Sequence, residues 1–279
     1  MREILHTALE AAQAATAVHL RYRSVPEDRQ AREKGRSDFV SQVDLEAQRA
    51  ALTVIGRRFP DHAVVAEEED GEAGVPDGIP QGTGADPAAG RHRGVPVWVV
   101  DPLDGTTNYL HGHPQYAASV GVLLGGEPVV GAVTAGATGE RWWARKDGGA
   151  WKDGRRIQVS GVRVLQEALV GTGYPFKRLD LLPDYLDQFG RVLPGTVGIR
   201  RGGSAALDLC ALASGTLDAF WELILSPWDV AAGAAILQEA GGRLARVDGS
   251  PMGYAESGSV LAANSSVLLE GLGALVRGE

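Results

Sequence analysis

The sequence predicts an α/β layered sandwich, with helices packed between and outside two sheets. Three observations carry that expectation. Residues 119–159 read as an antiparallel strand meander, punctuated by glycine pairs at Gly125 and Gly126 and at Gly148 and Gly149. Beyond Gly161, short strand-like runs alternate with helical segments. Two amphipathic helices precede both regions. At 279 residues and 44% hydrophobic, the chain can bury a substantial core in one large domain or two small ones.

Residues 3–22 and 45–59 carry the helical signal, with Ile4, Leu5, Ala8, Leu9 and Ala12 on one stripe. Residues 23–35, rich in charge and holding Pro26, read as a mobile connector. The β-branched run at 62–66 predicts a strand ending in Glu67, Glu68 and Glu69, the last of them solvated. Residues 70–94 contain seven glycines and three prolines and almost no large apolar group, so a loop is expected there. The apolar run at 95–100 predicts a strand, and the meander uses 119–124, 128–135, 141–145 and 156–159. In the second half, 168–172 and 196–200 read as strands around a helix at 181–192. Helices at 204–213 and 227–240 flank a strand at 217–222, and a last strand at 260–263 precedes a helix from Ser265. No stretch resembles a long linker, so 1–279 is read as a single domain with lobes of about 1–160 and 161–279.

The chemistry concentrates at 101–108, Asp-Pro-Leu-Asp-Gly-Thr-Thr-Asn, directly after a predicted strand. Asp101 and Asp104 offer the hard oxygens that suit Mg²⁺. Pro102 stiffens a turn and Gly105 allows close backbone approach to a ligand. If Thr106 and Thr107 open a helix, their free N–H groups face an anion. The same residues also suit an acidic turn that merely caps a helix. Two further carboxylates stand at element ends. Glu67 follows the strand at 62–66, and Asp229 lies in the first turn of a helix with Ser226 as N-cap and Pro227 at its first position.

A net charge of −8 argues against a nucleic-acid sheath, which needs a basic face. An acidic protein that binds an anion must take its positive charge from elsewhere, and bound cations would supply it. Cys210 is the single cysteine, so no disulfide within the chain is possible, and its apolar setting suits a buried structural thiol. No run is long enough to span a bilayer and no signal-peptide pattern stands at the start, so a soluble cytoplasmic protein without a membrane partner is expected. His111 and His113 follow the central motif, but hard Mg²⁺ disfavours imidazole. His6, His19, His62 and His92 offer no functional argument.

With the motif at 101–108, Ala-Glu-Glu at 66–68 and Trp-Asp-Val-Ala-Ala-Gly at 228–233, the chain resembles the inositol monophosphatase family of Mg²⁺-dependent, lithium-sensitive phosphatases. Weaker matches, including Arg-Gly-Gly-Ser-Ala-Ala at 201–206, extend the resemblance along nearly the whole chain. It implies a five-layered αβαβα sandwich, two to three Mg²⁺ ions per site, a homodimer, and hydrolysis of a phosphate monoester by a metal-activated water. Glu67 and Asp101, with the Leu103 carbonyl, would hold the metal that activates the water. Asp101, Asp104 and Asp229 would hold a second beside the leaving oxygen. Thr106 would orient the water with Asp44 behind it, and the Gly105 and Thr106 amides would take phosphate oxygens.

Gly203, Ser204 and Ala205 at a helix start would bind substrate hydroxyls, although Ser204 serves equally as an N-cap. Glu222, at the end of its predicted strand, would bind the polyol, with Asp104 and Asp229 also facing the substrate; a structural ion pair is the alternative for Glu222. The Thr-Thr-Asn ending of the motif favours inositol 1-phosphate. Fructose 1,6-bisphosphatase activity is the nearest rival, and a regulatory or scaffolding protein that kept the fold is a non-enzymatic one. A phosphorylated-aspartate mechanism lacks the Asp-x-Asp strand end it usually requires.

Overall fold

Alanines set the first layer. In the computed structural model, helix α1 (Arg2–Arg23) buries Ala8, Ala11, Ala12 and Ala15, and helix α2 (Gln42–Arg58) buries Val43, Ala47, Ala51, Leu52 and Ile55. Small side chains on these facing stripes let the helices pack along their length, and both rest on the same sheet. The structure describes residues 1–23, 31–35, 38–68 and 94–279. Residues 24–30 of the expected connector, Glu69, and all of the expected 70–94 loop except Gly94 lie outside the described residues. Within the region read as a mobile connector, a strand, β1 (Ala31–Gly35), pairs antiparallel with β2 (Asp38–Ser41), an element that reading did not include.

The sheet beneath α1 and α2 has seven strands. They are β3 (Ala63–Ala66), β4 (Val97–Asp104), β5 (Ala117–Leu124), β6 (Glu127–Ala135), β7 (Arg141–Arg145), β8 (Ala150–Lys152) and β9 (Arg155–Ile157), in that spatial order. Only β3 and β4 are parallel; the rest form the expected antiparallel meander. A short helix, α3 (Thr106–Leu110), follows β4. A middle layer of α5 (Ala205–Ala213) and α6 (Pro227–Glu239) covers the other face of this sheet. It also packs on a second, five-stranded sheet in the order β11 (Gly198–Arg200), β10 (Leu169–Thr172), β12 (Ala219–Leu225), β14 (Gly258–Ala263), β13 (Arg243–Ala245). Helices α4 (Leu182–Val192) and α7 (Ser266–Arg277) close the outer face. The layers therefore run helix, sheet, helix, sheet, helix.

Helix α6 is buried on nearly every side, from Val230 to Leu237, as a helix between two sheets must be. Its fit depends on glycine. Gly121 and Gly131 face each other across β5 and β6. A Cβ at Gly121 would meet the Cβ of Ala231 at 2.8 Å, and one at Gly131 would meet the Ala232 carbonyl oxygen at 2.2 Å. The sheet is bare at the spot where α6 comes closest.

Two strands run further than the sequence suggests. β4 continues through the motif to Asp104, so Pro102 lies within the strand and not in a turn after it. The register with β5 shifts between Asp101, opposite Ser119, and Asp104, opposite Ala117. One extra residue on β4 makes this a bulge, where the missing N–H of Pro102 is tolerated. The bulge has a geometric effect. Residues three apart on a regular strand point to opposite faces, and one extra residue returns them to the same face. β12 likewise extends to Leu225, with a register shift between Glu222 and Leu225, so Glu222 sits within the strand and not at its end.

Candidate active site

The bulge in β4 turns Asp101 and Asp104 to one side, and the first turn of α6 delivers Asp229 to meet them. Carboxylate oxygens of the three lie within 4.8 Å of one another. They open into a cavity of about 950 Å³ that Glu67, Leu103, Gly105 and Thr106 also line. Glu67 is outside the tight trio, but its carboxyl shares a hydrogen bond with Asp101. Gly203, Ser204, Ala205 and Glu222 line the same cavity from the second half of the chain.

Each carboxylate is held by its own element. The Asp101 Oδ1 accepts from the Leu103 amide at 3.0 Å, inside the bulge. The Asp104 Oδ2 accepts from the Ser204 hydroxyl at 2.6 Å and the Ala206 amide at 2.8 Å. Ser204 is also the N-cap of α5, accepting from the Leu207 amide at 3.3 Å, so it serves the helix and the site together. The Asp229 Oδ2 accepts from the Ser226 amide at 2.6 Å. Behind Glu67, the Gln48 side chain clasps the backbone of Glu68, donating to its carbonyl at 2.8 Å and accepting from its amide at 3.0 Å.

Asp44 does not line the cavity; it is fully buried beneath it. The Thr106 hydroxyl links it to the site, 3.0 Å from Asp44 Oδ1 and 2.9 Å from the Leu103 carbonyl. Gly105 holds φ at +90°, and a Cβ there would lie 2.7 Å from the Gln115 carbonyl oxygen, so only glycine fits. Asn108 joins the two halves, donating to the Gln115 carbonyl at 2.6 Å and the Gly202 carbonyl at 3.1 Å.

Burial and mutual repulsion dominate the electrostatics. Burial first, and then Asp229, Glu68 and Asp44, raise the Glu67 pKa well above the usual carboxylate range. Burial, Glu67 and Asp104 do the same to Asp101. Asp229 is pushed up to about 7 by burial and Asp104. Burial raises Asp104, against the pull of its hydrogen bonds from Ser204 and Ala206. Glu222 is raised by burial and by Asp229. Carboxylates packed this closely bear a standing penalty that a cation would remove. Hard oxygen donors of this number and spacing fit a divalent ion such as Mg²⁺.

Sequence reasoning overlooked the opposite wall. Arg201 lies over the rings of Tyr174 and Phe176, 5.2 and 5.6 Å from their centroids, and Lys177 lines the cavity nearby. Asp208, buried in the first turn of α5, is pushed up to about 8 by burial and by Asp104. A signal existed for two of these. Arg201 starts the Arg-Gly-Gly-Ser run, and Asp208 falls one helical turn after Ser204.

The model of the inositol monophosphatase family matches residues 1–279. The chain belongs to that family of metal-dependent phosphatases. It is 38% identical over 267 residues to the protein named Nus factor SuhB of Pseudomonas aeruginosa, covering 95% of this chain and 93% of the relative. It is 38% identical over 235 residues to the fructose-1,6-bisphosphatase/inositol-1-monophosphatase of Aquifex aeolicus, covering 84% and 81%. The solved inositol monophosphatase of Anabaena superposes with a TM-score of 0.81 at 33% identity, covering 99% of this chain and 96% of that one.

Proposed function

We propose that the protein hydrolyses a small polyol or sugar phosphate monoester, inositol 1-phosphate first, with two to three Mg²⁺ ions held by Glu67, Asp101, the Leu103 carbonyl, Asp104 and Asp229. The observation that carries this reading is the convergence of Asp101, Asp104 and Asp229 within 4.8 Å, on a cavity large enough for a sugar phosphate. When bound, the metal ions would neutralise phosphate oxygens and make water more acidic. The chain's own residues do the rest. The Thr106 hydroxyl, donating its proton to Asp44, keeps its lone pairs for a water proton and so fixes which way the attacking water points. The Gly105 and Thr106 amides offer donors to the phosphate. Glu222, across the cavity, accepts hydrogen bonds from the hydroxyls of the alcohol, beside the start of α5 at Gly203, Ser204 and Ala205.

Lithium sensitivity and a cytoplasmic homodimer belong to the same reading. Leu179, Leu182, Leu186 and Leu193 stand exposed along and beside α4, which supports pairing with a second copy. No helix among the described residues is long and apolar enough to cross a membrane. The core shared by α5, α6 and strands of both sheets supports one domain over 1–279.

The test is phosphate release from inositol 1-phosphate, fructose 1,6-bisphosphate, histidinol phosphate and a nucleotide phosphate, with and without Mg²⁺. Mg²⁺-dependent turnover fastest on inositol 1-phosphate supports the reading. Preference for the bisphosphate would favour the activity in the Aquifex relative's name, and no turnover of any ester would favour a regulatory or scaffolding protein that kept the fold.

A further inference from the structure

Among the fully buried polar side chains that the mechanism leaves unused is a histidine of the first lobe. His19, near the end of α1, is 0% exposed and donates from Nε2 to the Pro102 carbonyl at 2.8 Å, 83 positions away. A carbonyl only accepts, so Nε2 carries the proton and the imidazole is the neutral Nε2–H form. Burial, which pulls its pKa down to about 4, keeps it neutral. Nδ1 has no hydrogen-bond partner among the described residues, and a Cβ added at Gly136 would stand 3.1 Å from it. A buried acceptor left without a partner costs stability. An apolar side chain would fill the same space without that cost, so the Nε2–H bond is what the position keeps.

The motif grips His19 from both ends. Tyr109, in α3, donates its hydroxyl to the His19 carbonyl at 3.0 Å, while Pro102, in the β4 bulge, accepts from the ring. The rings of Tyr109 and Tyr116 enclose the imidazole, with centroids 5.9 and 5.8 Å away. Pro102 occupies the stretch of β4 where the register shifts. It has no N–H to bond with β5, so the carbonyl is its one backbone handle.

We infer that His19 is a positioning residue for the metal centre: its bond to the Pro102 carbonyl locks the β4 bulge in the form that turns Asp101 and Asp104 to the same face. This rests on the reading of those carboxylates as metal ligands. His19 touches neither ligand nor substrate. It acts through the backbone between them, as groups behind a metal's direct ligands generally do.

The test is Mg²⁺ binding by calorimetry to chelator-stripped protein, comparing wild type, His19→Phe and His19→Gln. Phe fills the ring's volume but cannot donate; the Gln side-chain amide reaches the position of Nε2 and can. Loss of about tenfold in Mg²⁺ affinity is expected for His19→Phe, in line with other groups behind metal ligands, with Gln restoring most of it. At saturating Mg²⁺ the KM for the ester should be unchanged in both. If the Phe variant does not fold, His19→Asn takes its place, because its amide ends where Nδ1 stands, short of Pro102. Wild-type affinity in the non-donating variant, or equal loss in it and the Gln variant, overturns the inference. No Mg²⁺ binding by the wild type would overturn the metal reading itself, a separate result.

Discussion

The hydroxyl of Thr106 lies 3.0 Å from the Asp44 carboxylate, across 62 positions of sequence, and 2.9 Å from the Leu103 carbonyl. One proton serves two acceptors. While it points to Asp44, both lone pairs of the Leu103 carbonyl can face the cavity; while it points to Leu103, one of them is taken. If Leu103 is a metal ligand, as proposed, Asp44 favours the arrangement that leaves its carbonyl more available. Thr106→Val, which keeps the shape and removes the hydroxyl, should lower kcat by at least ~10²-fold, the usual worth of a group that orients or moves a proton. Asp44→Asn should raise the Mg²⁺ concentration needed for half-maximal rate. Steady-state kinetics across a Mg²⁺ series checks both, and an unchanged kcat in Thr106→Val removes Thr106 from the chemistry.

Asp101→Asn and Asp229→Asn should each lower kcat by at least ~10²-fold, because a neutral amide withdraws charge that stabilises the transition state. The metal-free variants should melt no lower than the wild type, since each loses a member of a repelling cluster. Thermal melts in chelator beside turnover in Mg²⁺ test this. Full activity of chelator-treated wild type would refute the metal requirement.

Stability without metal should depend on pH in a defined direction. Folding raises Asp229 from 3.8 to about 7 and Asp208 from 3.8 to about 8. For a carboxyl raised on folding, the folded state binds the proton more tightly. The stabilisation is complete below pH 3.8 and is lost as pH rises through 7 to 8. Metal-free protein should therefore melt at a lower temperature at pH 8.5 than at pH 6, and Mg²⁺ should remove most of the difference. A flat profile in chelator would contradict the burial of these charges.

Glu222→Gln should raise the KM for inositol 1-phosphate several-fold and leave the Mg²⁺ dependence nearly unchanged, since a site built on hydroxyl contacts weakens when an acceptor is lost. An equal loss on a plain aryl phosphate would put Glu222 in the catalytic core instead.

Lithium should inhibit in the millimolar range, and more strongly at saturating substrate. Li⁺ is near Mg²⁺ in size with half its charge, so it can fill the site of Asp104 and Asp229 without supporting turnover. Titration of the rate with LiCl against an equal NaCl series checks this; no effect at tens of millimolar refutes it.

Asp101, Asp104 and Asp229 were legible because each stands near a proline, a glycine or a capping serine, and Glu67 because a run of carboxylates ends a β-branched strand. Their convergence was harder to read. A proline after Asp101 suggests that a strand stops, yet β4 runs on through a bulge that no local pattern announces. β8 and β13 span three residues each, too short for an alternation to register. β1 has the charged sequence Ala-Arg-Glu-Lys-Gly, which reads as a connector. His19, which offered no functional argument, and Gln48, which was not singled out, were illegible for another reason. Both bond to distant backbone atoms, and backbone carries no sequence signature.

The bare patch formed by Gly121 and Gly131 reaches further than its own strands. Those glycines determine how deep α6 seats against the sheet, and α6 carries Asp229 on its first turn. The sheet thus works as a depth stop, with no room for a methyl group at either position. A single methyl at Gly131 would shim the helix outward and lift Asp229 away from Asp101 and Asp104 with no change to any of the three. The spacing of the proposed metal ligands thus depends on β5 and β6, through side chains the protein does not have.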